Sequence, residues 1–129
     1  MTDQLLEPAR YAYSPSVPVD LSSMVPLGSA ADLGLTVLEG TPEAWIRVDF
    51  QSGGMTAGLF RASRGKLEYT FPSTEHATIL EGELTLTDEA GEVRTYRPGD
   101  GYFVTQGQVV IWDVQGDHVT KSFFSCTSA

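Results

Sequence analysis

Glu75-His76-Ala77-Thr78-Ile79-Leu80-Glu81-Gly82-Glu83-Leu84-Thr85-Leu86-Thr87 is the stretch whose reading decides the fold. Residues 75–80 form a short run of apolar and β-branched positions, and 83–87 continues it beyond a bend at Gly82. Extended chain needs permissive backbone angles at such a bend. Asp88-Glu89-Ala90-Gly91 then makes a hairpin connection, and 92–97 returns. Outward in both directions the texture repeats. Upstream, the runs 36–38, 44–50, 56–62 and 66–71 are separated by turns at 51–54, 63–65 and 72–74. Downstream, Pro98-Gly99-Asp100-Gly101 turns into 102–104, and 105–107 leads to 109–114. Gln115-Gly116-Asp117 then leads to a last strand, 118–124. Gly99 after Pro98 takes the third position of a tight turn, where φ is positive. Short strands at near-regular spacing predict an all-β sandwich or barrel. No helix longer than a turn or two, no repeat and no low-complexity tract is expected.

The 129 residues suit one core. Hydrophobic residues at 41% exclude a fully disordered chain, and charged residues at 19% are too few for a charge-laced helical bundle. Eight Lys and Arg against seventeen Asp and Glu leave a net charge of −9. Such a surface repels phosphate backbones and anionic lipid heads, so neither nucleic acid nor membrane is an expected partner. No apolar run approaches the roughly 18–20 residues of a membrane span. The first residues do not resemble a secretory signal, and the single cysteine, Cys126, cannot form an intrachain disulfide. Both fit a cytoplasmic protein.

Two segments are expected: an extended arm over residues 1–34 and a barrel domain over 35–129. Pro8, Pro15, Pro18 and Pro26 break helical register in the arm. Tyr11, Tyr13, Val17, Val19, Leu21, Met24, Val25 and Leu27 make it too apolar for a freely solvated tail. It is expected to lie across the barrel or a partner subunit.

The run 75–84 resembles the first motif of the cupin superfamily, which ends in Glu, three variable residues, two aliphatics, Glu, Gly, Glu. Residues 98–107 resemble the second motif, with Thr105 where a proline is usual. Trp112 and the Phe71-Pro72 step are similar to the branch containing ureidoglycine aminohydrolase and the ethanolamine-utilisation cupin. The resemblance covers about residues 55–124 and implies a double-stranded β-helix, or jelly-roll barrel.

Metal-binding cupins carry two His and one Glu on the first motif and one His on the second. Here the resemblance assigns those positions to Glu68, Thr70, Glu75 and Val110, so most ligand chemistry is missing. No cofactor is therefore expected. A weak Mn²⁺ or Mg²⁺ site through Glu68 and Glu75, with Gln108 nearby, is the alternative. The facing of 66–71 is open. The family alignment turns Lys66, Glu68 and Thr70 into the lumen, whereas simple alternation turns Leu67, Tyr69 and Phe71 inward. The alignment is adopted as the expectation.

Glu75 is the candidate acid/base, in a partly dry mouth where desolvation and a second carboxylate at Glu68 would raise its pKa. A rim-shaping hydrogen bond to a turn amide is the competing role. Trp112 is either a wall for a ligand or core. Tyr102, Thr70 and Gln108 are candidate substrate-binding residues, and Gln106 lines the same mouth. His76 faces the opposite side from Glu75, and His118 is read as a surface residue. Arg61, Arg64 and Lys66 form a basic cluster best read as a solvated turn. No serine-hydrolase, phosphate-loop or Cys–His nucleophile motif occurs.

Two functions follow. One is a cupin that binds a small polar metabolite in its lumen, with carboxylate acid/base chemistry such as isomerisation or hydrolysis. The other is a non-catalytic, dimeric binding or scaffold cupin whose metal site has decayed. A homodimer is expected in either case, because apolar residues on the outer barrel face need cover.

Overall fold

The computed structural model describes residues 11–128. Nine antiparallel strands follow a short 3₁₀ turn at Leu21–Ser23: β1 (Val25–Ser29), β2 (Thr36–Glu39), β3 (Glu43–Ser52), β4 (Met55–Thr70), β5 (Thr74–Glu81), β6 (Leu84–Asp88), β7 (Val93–Tyr96), β8 (Gly101–Val104) and β9 (Val109–Cys126). Among the described residues no helix is long and apolar enough to cross a membrane.

Two of these strands build the barrel. The sequence predicts turns at 63–65 and 115–117, yet β4 and β9 run straight through them, paired from Met55↔Cys126 to Thr70↔Val109. The register shifts between Ser63 and Gly65, opposite the additional residues 115–117. The turn chemistry has made a bulge in a long ribbon rather than two hairpins. Beyond that bulge the ribbon changes neighbours. Its first half lies in the order β1-β3-β4-β9-β5-β8, while its second half carries β2 beside β4 and β6-β7 beside β9. The two half-sheets face each other, and their inner residues share one core. Ala62, Ala77, Ile79 and Val119 come from the first, and Leu67, Leu84, Leu86 and Val114 from the second. This is the jelly-roll barrel expected from the sequence.

The crossing from β5 to β6 is made at Gly82. Its φ is +75°, and a Cβ there would lie 1.9 Å from the His118 carbonyl oxygen. Both conformation and close approach demand glycine. Gly99 has the positive φ, +96°, that its turn predicts.

The 1–34 segment is more integrated than an arm. Residues 1–10 lie outside the described residues, but Val25–Ser29 is a wall strand paired with β3. Pro26 is tolerated there because β1 is an edge strand, with a register shift between Pro26 and Gly28. Residues before it pack on the same chain. Met24 and Val19 join Leu59, Leu80 and Trp45 in a small satellite core. The Val19 N–H donates to Glu81 Oε2 at 2.9 Å, and the Tyr13 hydroxyl to Asp49 at 2.7 Å.

Candidate functional site

On β9 the residues Val119, Lys121 and Phe123 share strand parity, and Lys121 stands opposite Phe60 of β4 and Ile79 of β5. Glu75 lies four residues before Ile79 on β5, opposite Ser125. Their backbones are thus about 13 Å apart along the strands at ~3.3 Å per residue. The two side chains close that gap by leaning toward each other above the small, fully covered Ala77.

Lys121 Nζ donates to Glu75 Oε2 at 2.5 Å and to the Tyr102 hydroxyl oxygen at 2.6 Å, and the Tyr102 hydroxyl donates to the same Oε2 at 2.8 Å. Tyr102 arrives from β8, where it pairs with Ala77. Only 4% of Lys121 and 8% of Glu75 is exposed. Four rings close around the ammonium: Trp112 at 5.0 Å, Phe60 at 5.1 Å, Tyr102 at 5.3 Å and Phe71 at 5.8 Å. Their negative faces, together with one carboxylate and the Tyr102 hydroxyl oxygen, are what the charge has in place of water.

The electrostatics follow from this burial. Desolvation pushes the Lys121 ammonium below the usual lysine range, and the Glu75 charge and hydrogen bond only partly restore it. Burial, then the neighbouring Glu75 charge, pushes the Tyr102 phenol well above its ordinary value, so it remains a hydrogen-bond donor. Tyr69 is half-buried, and desolvation, then the neighbouring Glu75 charge, pushes its phenol up to about 12.

Glu75, Lys121, Phe60 and Trp112 of this cluster lie in the wall of a cavity of 480 Å³. Leu27, Leu35, Ile46, Leu67 and Trp112 make most of its surface apolar, while Glu75, Lys121, Tyr69, Ser73 and Ser125 contribute polar groups. A size in the range of small-ligand sites, largely apolar walls and a few convergent polar groups describe a binding pocket.

Glu75 and Trp112 both line this cavity, whereas Tyr102 donates to Glu75 but borders a separate hollow. Glu68 and Thr70 line neither. Both are exposed, while Leu67 is buried and Tyr69 lines the cavity, so alternation rather than family alignment describes this strand. Two apolar neighbours buried on one face leave the intervening carboxylate in water, and Glu68 cannot assist Glu75. Gln108 lines a different hollow of 380 Å³, together with Val110, Tyr96 and Tyr102. Gln106 instead accepts from Ser128 at the surface. His76 is exposed as expected. His118 is half-buried, with Nε2 3.0 Å from Glu81 Oε1. The basic trio disperses: Arg64 donates to the Gly116 carbonyl, Lys66 meets Glu39, and Arg61 lies over Trp45.

Sequence reasoning missed Lys121. Its signal was present, since the residue occupies an inward parity between Val119 and Phe123, where a cation must find a buried partner.

The donor set does not fit a divalent metal. Of the four positions where metal-binding cupins carry ligands, Glu68 and Thr70 face outward and Val110 has no donor atom. Glu75 is the one donor of the four that points inward, and its carboxylate already faces an ammonium that would repel a second cation. The Mn²⁺ or Mg²⁺ alternative through Glu68 and Glu75 is thereby corrected, because the two carboxylates stand on opposite faces of the wall. Among the described residues no three His, Cys, Asp or Glu side chains converge.

Comparison with known proteins agrees with this architecture. The structure of ethanolamine utilization protein Q from Salmonella typhimurium LT2 superposes with a TM-score of 0.58 at 20% identity, over 67% of this chain and 72% of that one. The Clostridium difficile EutQ protein gives 0.63 at 15% identity, over 88% and 82%. A Pseudomonas syringae pv. tomato protein of unknown function gives 0.71 at 19% identity, over 88% of this chain, which spans 46% of that longer one. At these identities the likeness concerns the fold alone. No curated protein matches the chain in sequence. The family model for the EutQ-like cupin domain matches residues 50–123, more than half of the sequence. The chain belongs to the EutQ-like cupin family.

Proposed function

We propose that this cupin binds a small metabolite in the 480 Å³ cavity and moves a proton on it, with Glu75 as acid/base and Lys121 as a resident cation. The observation that carries this reading is the buried Glu75–Lys121 pair in the wall of a largely apolar cavity, with Tyr102 hydrogen-bonded to both partners from behind it. A structural ion pair gains nothing from a pocket beside it. A site that must stabilise negative charge developing on a ligand does, because fixed donors withdrawn from water act more strongly than donors in solvent. The apolar walls favour a short hydrocarbon body with one polar end, directed to Lys121 Nζ. Isomerisation by proton transfer is the simplest reaction for this set. Hydrolysis of the ureidoglycine aminohydrolase kind belongs to the same acid/base class. Cys126, an exposed free thiol, supports a reducing, cytoplasmic setting.

The test is exchange. Short hydroxy- and keto-acids are incubated with the protein in D₂O, and deuterium entry at the carbon beside the polar group is followed by NMR. Protein-dependent exchange that Glu75→Gln abolishes is expected. No exchange with any acid, and no shift in tryptophan emission on adding them, overturns the reading.

A second reading, a dimeric binding or scaffold cupin, is favoured by a different observation. Phe103, His76, Phe124, Ala57 and Phe50 sit in register on β8, β5, β9, β4 and β3. Phe103 is 63% exposed, Phe124 45% and Phe50 49%. Phe103 and Phe124 flank His76 on either side. A two-fold axis at His76 lays each phenylalanine of one copy on its counterpart in another.

A further inference from the structure

Lys121 is the one buried lysine of a chain that has only two, the other being the half-exposed Lys66. Its Nζ lies in the wall of a cavity with an aliphatic interior, beside a carboxylate within proton-transfer distance. We propose that Lys121 captures a short aliphatic aldehyde or ketone as an imine. This inference deepens the proposed binding function and rests on it.

The groups present balance the step without any co-reactant. The ammonium proton passes to Glu75 Oε2, leaving an amine beside a carboxylic acid. The nitrogen lone pair forms the C–N bond, the carbonyl π electrons move to oxygen, and that oxygen takes the proton back from Glu75. Glu75 then removes a proton from nitrogen and delivers it to the departing hydroxyl. The C–O bond breaks, and water and a protonated imine result. Ammonium plus carbonyl has become iminium plus water, so the nitrogen begins and ends the step with one positive charge and the net charge of the site never changes. That constancy suits this cluster: the Glu75 carboxylate and the four rings that hold the ammonium hold the iminium equally well. Tyr102 donates to Glu75 at every stage and loses no proton, which keeps Oε2 aimed at the nitrogen. Desolvation favours the neutral amine that must attack, the reason buried lysines serve as Schiff-base nucleophiles. The hydrocarbon part lies against Trp112, Leu67, Leu35 and Ile46.

The experiment is reductive trapping with butanal and cyanoborohydride near pH 7, with modified lysines located by peptide mass spectrometry. Lys66 is the internal comparator on every molecule. Lys121 is expected to be alkylated several-fold faster than Lys66, because the cavity holds the aldehyde beside Nζ and desolvation enriches the neutral amine. In urea the two lysines label at equal rates. Labelling of Lys66 as fast as Lys121 in the folded protein overturns the proposal. Butan-1-ol, added separately while tryptophan emission is followed, distinguishes the two failures. If butanol shifts the emission and butanal leaves Lys121 unmodified, imine capture falls and cavity binding stands. If neither probe acts, both fall.

Discussion

Glu75 Oε2 and Lys121 Nζ are 2.5 Å apart, although 46 residues separate them in the chain. Each strand places its residue on the inner face, and each side chain has its charged end withdrawn from water. Removing two charges from solvent costs several kcal/mol per ion, which their attraction offsets only where remaining hydrogen-bond capacity is used. Tyr102 uses part of it on both partners, and four aromatic faces line the rest. A pair so placed responds asymmetrically to mutation, and this leads to the first expectation.

Lys121→Met leaves Glu75 buried with Tyr102 alone. Breaking a buried pair from one side costs about 3–5 kcal/mol. Glu75→Gln together with Lys121→Met removes both charges and recovers much of that loss. Urea unfolding of wild type, single and double variants measures the coupling. Additive losses would show that the two residues do not interact energetically.

Glu81 predicts a pH dependence. Burial opposes its ionisation, but the Val19 N–H, His118 and the Thr120 hydroxyl outweigh it and hold the carboxyl below its usual range. A carboxyl whose folded pKa is depressed stabilises the fold above its unfolded pKa, and that contribution disappears as pH falls through the folded value. Melting temperature is therefore expected to fall on acidification below the ordinary carboxylate range. Glu81→Gln starts lower at neutral pH and shows a shallower acid slope. A variant with the wild-type slope would remove Glu81 from this account.

Two glycines with positive φ should differ in cost. Gly82→Ala meets both backbone strain and the His118 carbonyl oxygen, whereas a Cβ at Gly99 has nothing within 4 Å. Strain alone costs about 1–3 kcal/mol. Chemical denaturation is expected to place Gly99→Ala within that range and Gly82→Ala beyond it. Equal losses would show that the chain shifts freely at the β5–β6 crossing.

Assembly is decided by the outer phenylalanines. Sedimentation of the intact chain is expected to give twice its 14.0 kDa mass. Phe103→Glu with Phe124→Glu should give a monomer that melts normally, since both side chains stand on the outer face. A wild-type monomer would remove the two-fold contact. A variant that remains dimeric would move it to another surface.

The sequence alone determined the strand content, the glycine-dependent turns at 82 and 99, and the motif spacing that identifies the barrel. All of these are written in local periodicity and in backbone angles that few residues tolerate. It also turned Glu75 and Trp112 inward, Glu75 through family resemblance and Trp112 through its strand parity with Val110. Three matters were decided only in three dimensions. Residues 63–65 and 115–117 have turn composition, but lie across from one another, so pairing along the whole ribbon absorbed them as a bulge. Which face of 66–70 is inner depended on the opposing half-sheet, whose Ala62, Ala77, Ile79 and Val119 share a core with Leu67 and leave Glu68 in water. The buried partner of Glu75 was equally out of local reach. A lysine at an inward position announces that it needs an anion, but only antiparallel pairing of β5 with β9, and the room above Ala77, selects Glu75 to supply it. Alternation is a property of neighbours along the chain, whereas a charge pair is a property of strands brought side by side.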